Sequence, residues 1–178
     1  MPNRALDRVL DPSYLQGLDA WTIEEVRARR SEAQILEDAA SFLRRLLQAR
    51  LDIIGSELAG RAAGVPADLI GIVEQLPRIL SDSGQPYVGG RLMTGDLGEA
   101  QASWAMSKAD EAFGEADIGD VPELPQAELE LIHDRLHQLE QAISAERRTL
   151  HDVIDRLQAE LVRRYRSGEA SVESLLHQ

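Results

Sequence analysis

Between Thr22 and Gly60 the chain contains no proline and only one interior glycine, Gly55, and from Gln126 to Arg166 it contains neither residue. Proline and glycine are the strongest helix breakers, so two such stretches point to two long helices. In the first, apolar residues recur in three-four alternation at Leu36, Ala39, Leu43 and Leu46, and then at Ile53, which is the period of a helix face. In the second, Leu129, Ile132, Leu136, Leu139, Ile143, Leu150, Val153 and Leu157 fall on heptad positions a and d, with Glu146 interrupting the d series. Each stretch is close to forty residues, or about 60 Å of helix. Thr22 and Glu25 form the S/T-x-x-E capping box of the first, and Pro125 suits the first turn of the second.

Two apolar seams of equal length would be left in water unless they met, at roughly 25 cal/mol per Å². The expectation is therefore an all-α fold: a long antiparallel two-helix coiled coil with short extra helices and an irregular acidic connection. The chain divides into an amino-terminal segment with a short helix near Leu6 to Leu10 (1–21), a first long helix (22–61), a connecting region (62–124), a second long helix (125–167) and a frayed tail (168–178). Within the connection, 66–80 reads as an amphipathic helix interrupted by Pro77, 81–98 as a loop, 97–113 as a helix anchored by Trp104 and Phe113, and 114–125 as an acidic linker.

Composition narrows the function. Aromatic residues make up only 4% of the 178, in keeping with helical assemblies. There is no cysteine, so neither a disulfide framework nor a thiolate metal site is available, which fits a reducing cytoplasm. No apolar h-region opens the chain and no run approaches a membrane span; a soluble, cytoplasmic protein is expected. The formal charge of −12 repels nucleic acid and anionic membrane and suits a basic protein partner. Between Thr94 and Glu130 the single lysine, Lys108, stands against ten acidic residues.

Both long helices carry the same polar pattern, E-x3-S-x2-R-x3-Q/H-x3-D. It comprises Glu37, Ser41, Arg44, Gln48 and Asp52, then Glu140, Ser144, Arg147, His151 and Asp155, each 103 residues after its counterpart. On a helix these steps fall at about 40°, −20°, 20° and 60°, so each set lines one stripe roughly 22 Å long. Eight of the nineteen residues counted from Leu36 and from Leu139 are identical, more than one solvated flank owes another. With the motifs centre against centre, residue 22 faces 170 and residue 62 faces 130, and the helix ends coincide about a pseudo-twofold axis. Each stripe offers donors and acceptors that suit a guanine nucleotide. Aspartate accepts from guanine N1–H and N2–H, while arginine forks onto O6 and N7 or stacks on the base. Serine and an adjacent Arg45 or Arg148 can donate to phosphate.

On these residues the chain resembles the actinobacterial RsiG family of anti-sigma factors. The first motif matches at all five positions and the second at four, with His151 where the family has glutamine. The resemblance implies that the ten motif residues bind cyclic di-GMP, two molecules as a dimer on the coiled coil, with no metal. It further implies that the loaded protein sequesters a WhiG-like sigma factor and represses late sporulation genes; because one chain already supplies both halves of the site, a monomer that forms a heterodimer with sigma is expected.

Two other readings stand beside this one. The stripes can be solvated flanks knit by i,i+3 and i,i+4 pairs, which would make the chain a nucleotide-independent acidic coiled-coil adaptor. His133 and His137, four apart, have zinc-helix spacing, and Glu130-x-x-His133 has the spacing of a di-iron bundle. The first long helix has no histidine to complete such a bundle. No nucleophile-base set or phosphate-cradling loop is visible, and no enzyme is expected.

Overall fold

The computed structural model describes residues 3–64 and 97–168, which form α-helices and short 3₁₀ turns, with no strand among them. Helix α1 spans Arg4–Leu10, α2 Ile23–Ala63, α3 Glu99–Phe113 and α4 Gln126–Ser167; 3₁₀ turns at Leu18–Ala20 and Ile118–Asp120 precede the two long helices. The fold is all-α. The helix expected over 66–80, most of the loop over 81–98 and the tail beyond 168 lie outside the described residues.

Local chemistry sets the helix starts. The Thr22 hydroxyl accepts from Glu25 N at 3.2 Å and the Glu25 carboxylate accepts from Thr22 N at 2.7 Å, closing the capping box read from sequence. Pro125 stands one residue before α4, its carbonyl accepting from Glu128 N and Leu129 N at 3.0 and 3.1 Å. The stretch read as an acidic linker is locally ordered. Asp117 accepts from Gly119 N, and Asp120 accepts from Asp117 N, both at 3.1 Å. α3 is capped by Gly114, whose φ of 99° disfavours any residue with a side chain, and Arg135 donates to the Phe113 carbonyl beside it.

The repeat is architectural as well as chemical. α2 begins at residue 23 and α4 at 126, again 103 apart; α1 ends at 10 and α3 at 113, the same interval. Among the described residues, short helix, 3₁₀ turn and long helix thus occur twice in the same order.

The chain divides into two units, and the division falls inside both long helices. One comprises residues 39–64 and 97–144, the other residues 3–38 and 145–168. In the first, Leu43, Leu47, Ile53 and Ile54 of α2 are buried, as are Leu129, Ile132, Leu136 and Ile143 of α4 and Ala105, Ala109 and Phe113 of α3. In the second, Val26, Ala33 and Leu36 are buried along with Leu150, Val153, Ile154, Leu157 and Leu161, together with Leu6 and Val9 of α1. The heptad residues read from sequence therefore form the seam, with Leu139 half-buried. Full burial of a leucine or isoleucine contributes about 1.5–3 kcal/mol.

The long helices run antiparallel in each unit. In the first, Arg44 meets Glu140 and Ser144 while Arg61 meets Leu124. In the second, Arg27 meets Tyr165 and Glu37 meets Arg147. Arg27 and Tyr165 meet as the centre-on-centre alignment expects, whereas Glu37 meets Arg147 and Arg44 meets Glu140, each about two turns from the residue that alignment sets opposite. That alignment would set Glu37 opposite Asp155 and Asp52 opposite Glu140, carboxylate against carboxylate. The observed contacts instead set each glutamate against an arginine, opposite charge against opposite charge.

Candidate functional site: two reciprocal polar stripes

Each motif lies on one face of one long helix, and burial grades along it. Glu37 is only 6% exposed, Ser41, Arg44 and Gln48 are half-buried, and Asp52 is exposed. On α4, Glu140, Ser144 and Arg147 are half-buried, while His151 and Asp155 are exposed.

The arginine of each motif is held by the glutamate of the other. In the first unit Arg44 Nε donates to Glu140 Oε1 and to Ser144 Oγ, both at 3.0 Å, and Ser144 Oγ donates to Glu140 Oε1 at 2.9 Å. In the second unit Arg147 donates to Glu37 Oε1 through Nε at 3.1 Å and Nη2 at 3.0 Å. His151 Nε2 lies 3.3 Å from the same oxygen. The bonds to Arg44 engage Nε and leave its terminal nitrogens able to fork onto another acceptor. Among the described residues no hydrogen bond engages the side chains of Gln48, Asp52 or Asp155. The stripe thus has a satisfied end, glutamate with arginine, and an open end, the amide and the two aspartates. A recess of about 280 Å³ lined by Arg50, Asp110, Phe113 and Ile118 contains none of the ten motif residues.

The repeat continues beyond the motif. Glu57 and Glu160 are buried, and each holds the arginine four residues on: Arg61 Nε at 2.6 Å and Arg164 Nε at 2.5 Å. Both arginines also grip the lead-in to the opposite long helix. Arg61 donates to the carbonyls of Val121, Pro122 and Leu124, and Arg164 to those of Leu18 and Trp21. Sequence reasoning missed these four residues because the comparison stopped at Asp52 and Asp155. Extended nine residues further, the 103-residue interval pairs Glu57 with Glu160 and Arg61 with Arg164.

His133 and His137 stack with ring centroids 6.2 Å apart. Among the described residues no group of three or more His, Cys, Asp or Glu could hold a metal. Nor is any described helix long and apolar enough to cross a membrane.

The RsiG-like family matches the chain over residues 12–80 and 115–178, spans that include both motifs and both reciprocal pairs. The chain belongs to the RsiG-like family. Membership points to a regulatory, anti-sigma role rather than an enzymatic one. α3 lies outside the spans that RsiG-like proteins share with this chain. No curated protein matches the chain.

Proposed function

We propose that this chain is a cyclic di-GMP-dependent anti-sigma factor. Its two stripes bind cyclic di-GMP, two molecules as a dimer, and the loaded protein sequesters a WhiG-like sigma factor as a heterodimer, repressing late sporulation genes in the cytoplasm. The observation that carries the reading is the open end of each stripe. Asp52 and Asp155 stand exposed on the same helix face, about two turns beyond arginines whose Nε is already fixed from the opposite helix. An arginine so oriented loses little entropy on forking or stacking onto a guanine, and the aspartate can accept from the guanine N–H edge. The exposed acidic residues of the α3–α4 region complement a basic partner.

Calorimetric titration of cyclic di-GMP into the protein with its sigma factor tests the reading. Saturable binding is expected at two nucleotides per chain, and Arg44→Ala or Asp52→Ala should abolish the ternary complex. Sigma binding that persists in both variants and ignores nucleotide would overturn it.

One observation favours a second reading. Glu37, Arg147, Glu140 and Arg44 satisfy one another without a ligand, as they would in an acidic coiled-coil adaptor. That reading expects no effect of cyclic di-GMP on partner binding or on melting.

A further inference from the structure

The second motif departs from the first at one position, and that position touches the buried glutamate. Glu37 Oε1 receives Arg147 Nε at 3.1 Å and Nη2 at 3.0 Å and faces His151 Nε2 at 3.3 Å. Three nitrogens thus converge on a single oxygen, which has two lone pairs to offer. When the imidazole is neutral its Nε2 either donates or turns a lone pair toward the carboxylate, according to tautomer. Once protonated, the ring donates from both nitrogens and adds a positive charge. The equivalent residue of the first motif is Gln48, an amide that does not titrate, and the glutamate of that unit is met by Arg44 and Ser144 instead.

Other charges near the imidazole belong mostly to its own helix. Arg147 and Arg148 lie within a turn before it, and Asp152 and Asp155 within a turn after. From α2, Glu37 is the charged group that meets the ring. No ion pair joins α1 or the turn behind it to His151 among the described residues, and Arg8 of α1 pairs with Glu32.

We propose that His151 is a proton-dependent positioning residue for Arg147. Protonated, it takes a share of Glu37, releases part of the Arg147 guanidinium toward the ligand and adds positive charge to the stripe. The second motif then binds an anionic nucleotide more tightly in acid, whereas the first does not respond. The inference rests on the cyclic di-GMP reading for its ligand but not for the coupling between His151 and Arg147.

Two measurements test it. Cyclic di-GMP is titrated into the protein with its sigma factor at pH 6 and at pH 8, for the wild type and for His151→Gln. The wild type should bind about fivefold more tightly at pH 6, the scale of a solvent-accessible charge pair, and His151→Gln should show affinity independent of pH. In the ligand-free protein, the NMR resonance of the Arg147 side-chain Nε–H should move between pH 6 and 8 and stay in place in His151→Gln. Equal wild-type affinity at both pH values overturns the inference and leaves the nucleotide reading intact, as does pH dependence that survives in His151→Gln. Absence of nucleotide binding at either pH overturns the nucleotide reading. The Arg147 resonance then decides the coupling, and a signal that ignores pH in the wild type ends it.

Discussion

Glu37 and Glu140 occupy the same place in their motifs but different surroundings. The Glu37 side chain is 7% exposed and meets Arg147 and His151; that of Glu140 is 16% exposed and meets Arg44 and Ser144. Removing an arginine takes from its glutamate a charged partner that offsets desolvation, and the loss grows with burial. Arg147→Ala should therefore destabilise the protein by about 1–3 kcal/mol, and Arg44→Ala by less. Urea denaturation checks this, and a larger loss for Arg44→Ala would refute the ordering. The sequence showed these ten residues as a stripe, because helical spacing is a one-dimensional property. It did not show that glutamate and arginine pair across helices, since that depends on register. Centre-on-centre alignment hid the pairing by setting carboxylates opposite one another. The departure at His151 was legible at once, but its contact with a buried carboxylate required coordinates.

At the scale of elements, the long helices were legible almost to their ends, because an apolar period of three and four residues survives without any partner. Their tethers were not. Arg61 and Arg164 stabilise carbonyls of the 3₁₀ lead-ins, and nothing in a lone arginine announces a backbone carbonyl across the fold. The second tether has a pH signature. Hydrogen bonds from Arg163 above all, and from Arg164, hold the Glu160 carboxyl down to about 2, against an ordinary value of 4.5 and against the opposing effect of burial. A carboxylate with a depressed pKa contributes stability above the unfolded-state value, and that contribution is lost as pH falls through 4.5 toward 2. Glu160→Gln should melt several degrees below the wild type at pH 7, with the gap closing to about zero near pH 2. A gap that stays constant across this range would show that the ion pairs around Glu160 add no stability.

At the scale of the molecule, the repeated order of short helix, 3₁₀ turn and long helix is sequential, but the two units are not the two repeats. Each unit takes part of α2 and part of α4, with α3 in one and α1 in the other. Segments that share a buried seam open together more readily than segments that share only a continuous backbone. Native-state amide exchange should therefore sort protection by unit rather than by helix. Amides of 39–63 should exchange with the same opening free energy as those of 126–144, and amides of 23–38 with those of 145–167. A single value along the whole of α2, different from a single value along α4, would contradict this. Where protection sorts by unit, the backbone hydrogen-bond ladder of each long helix is continuous in sequence yet divided in time, its two ends belonging to different cooperative events.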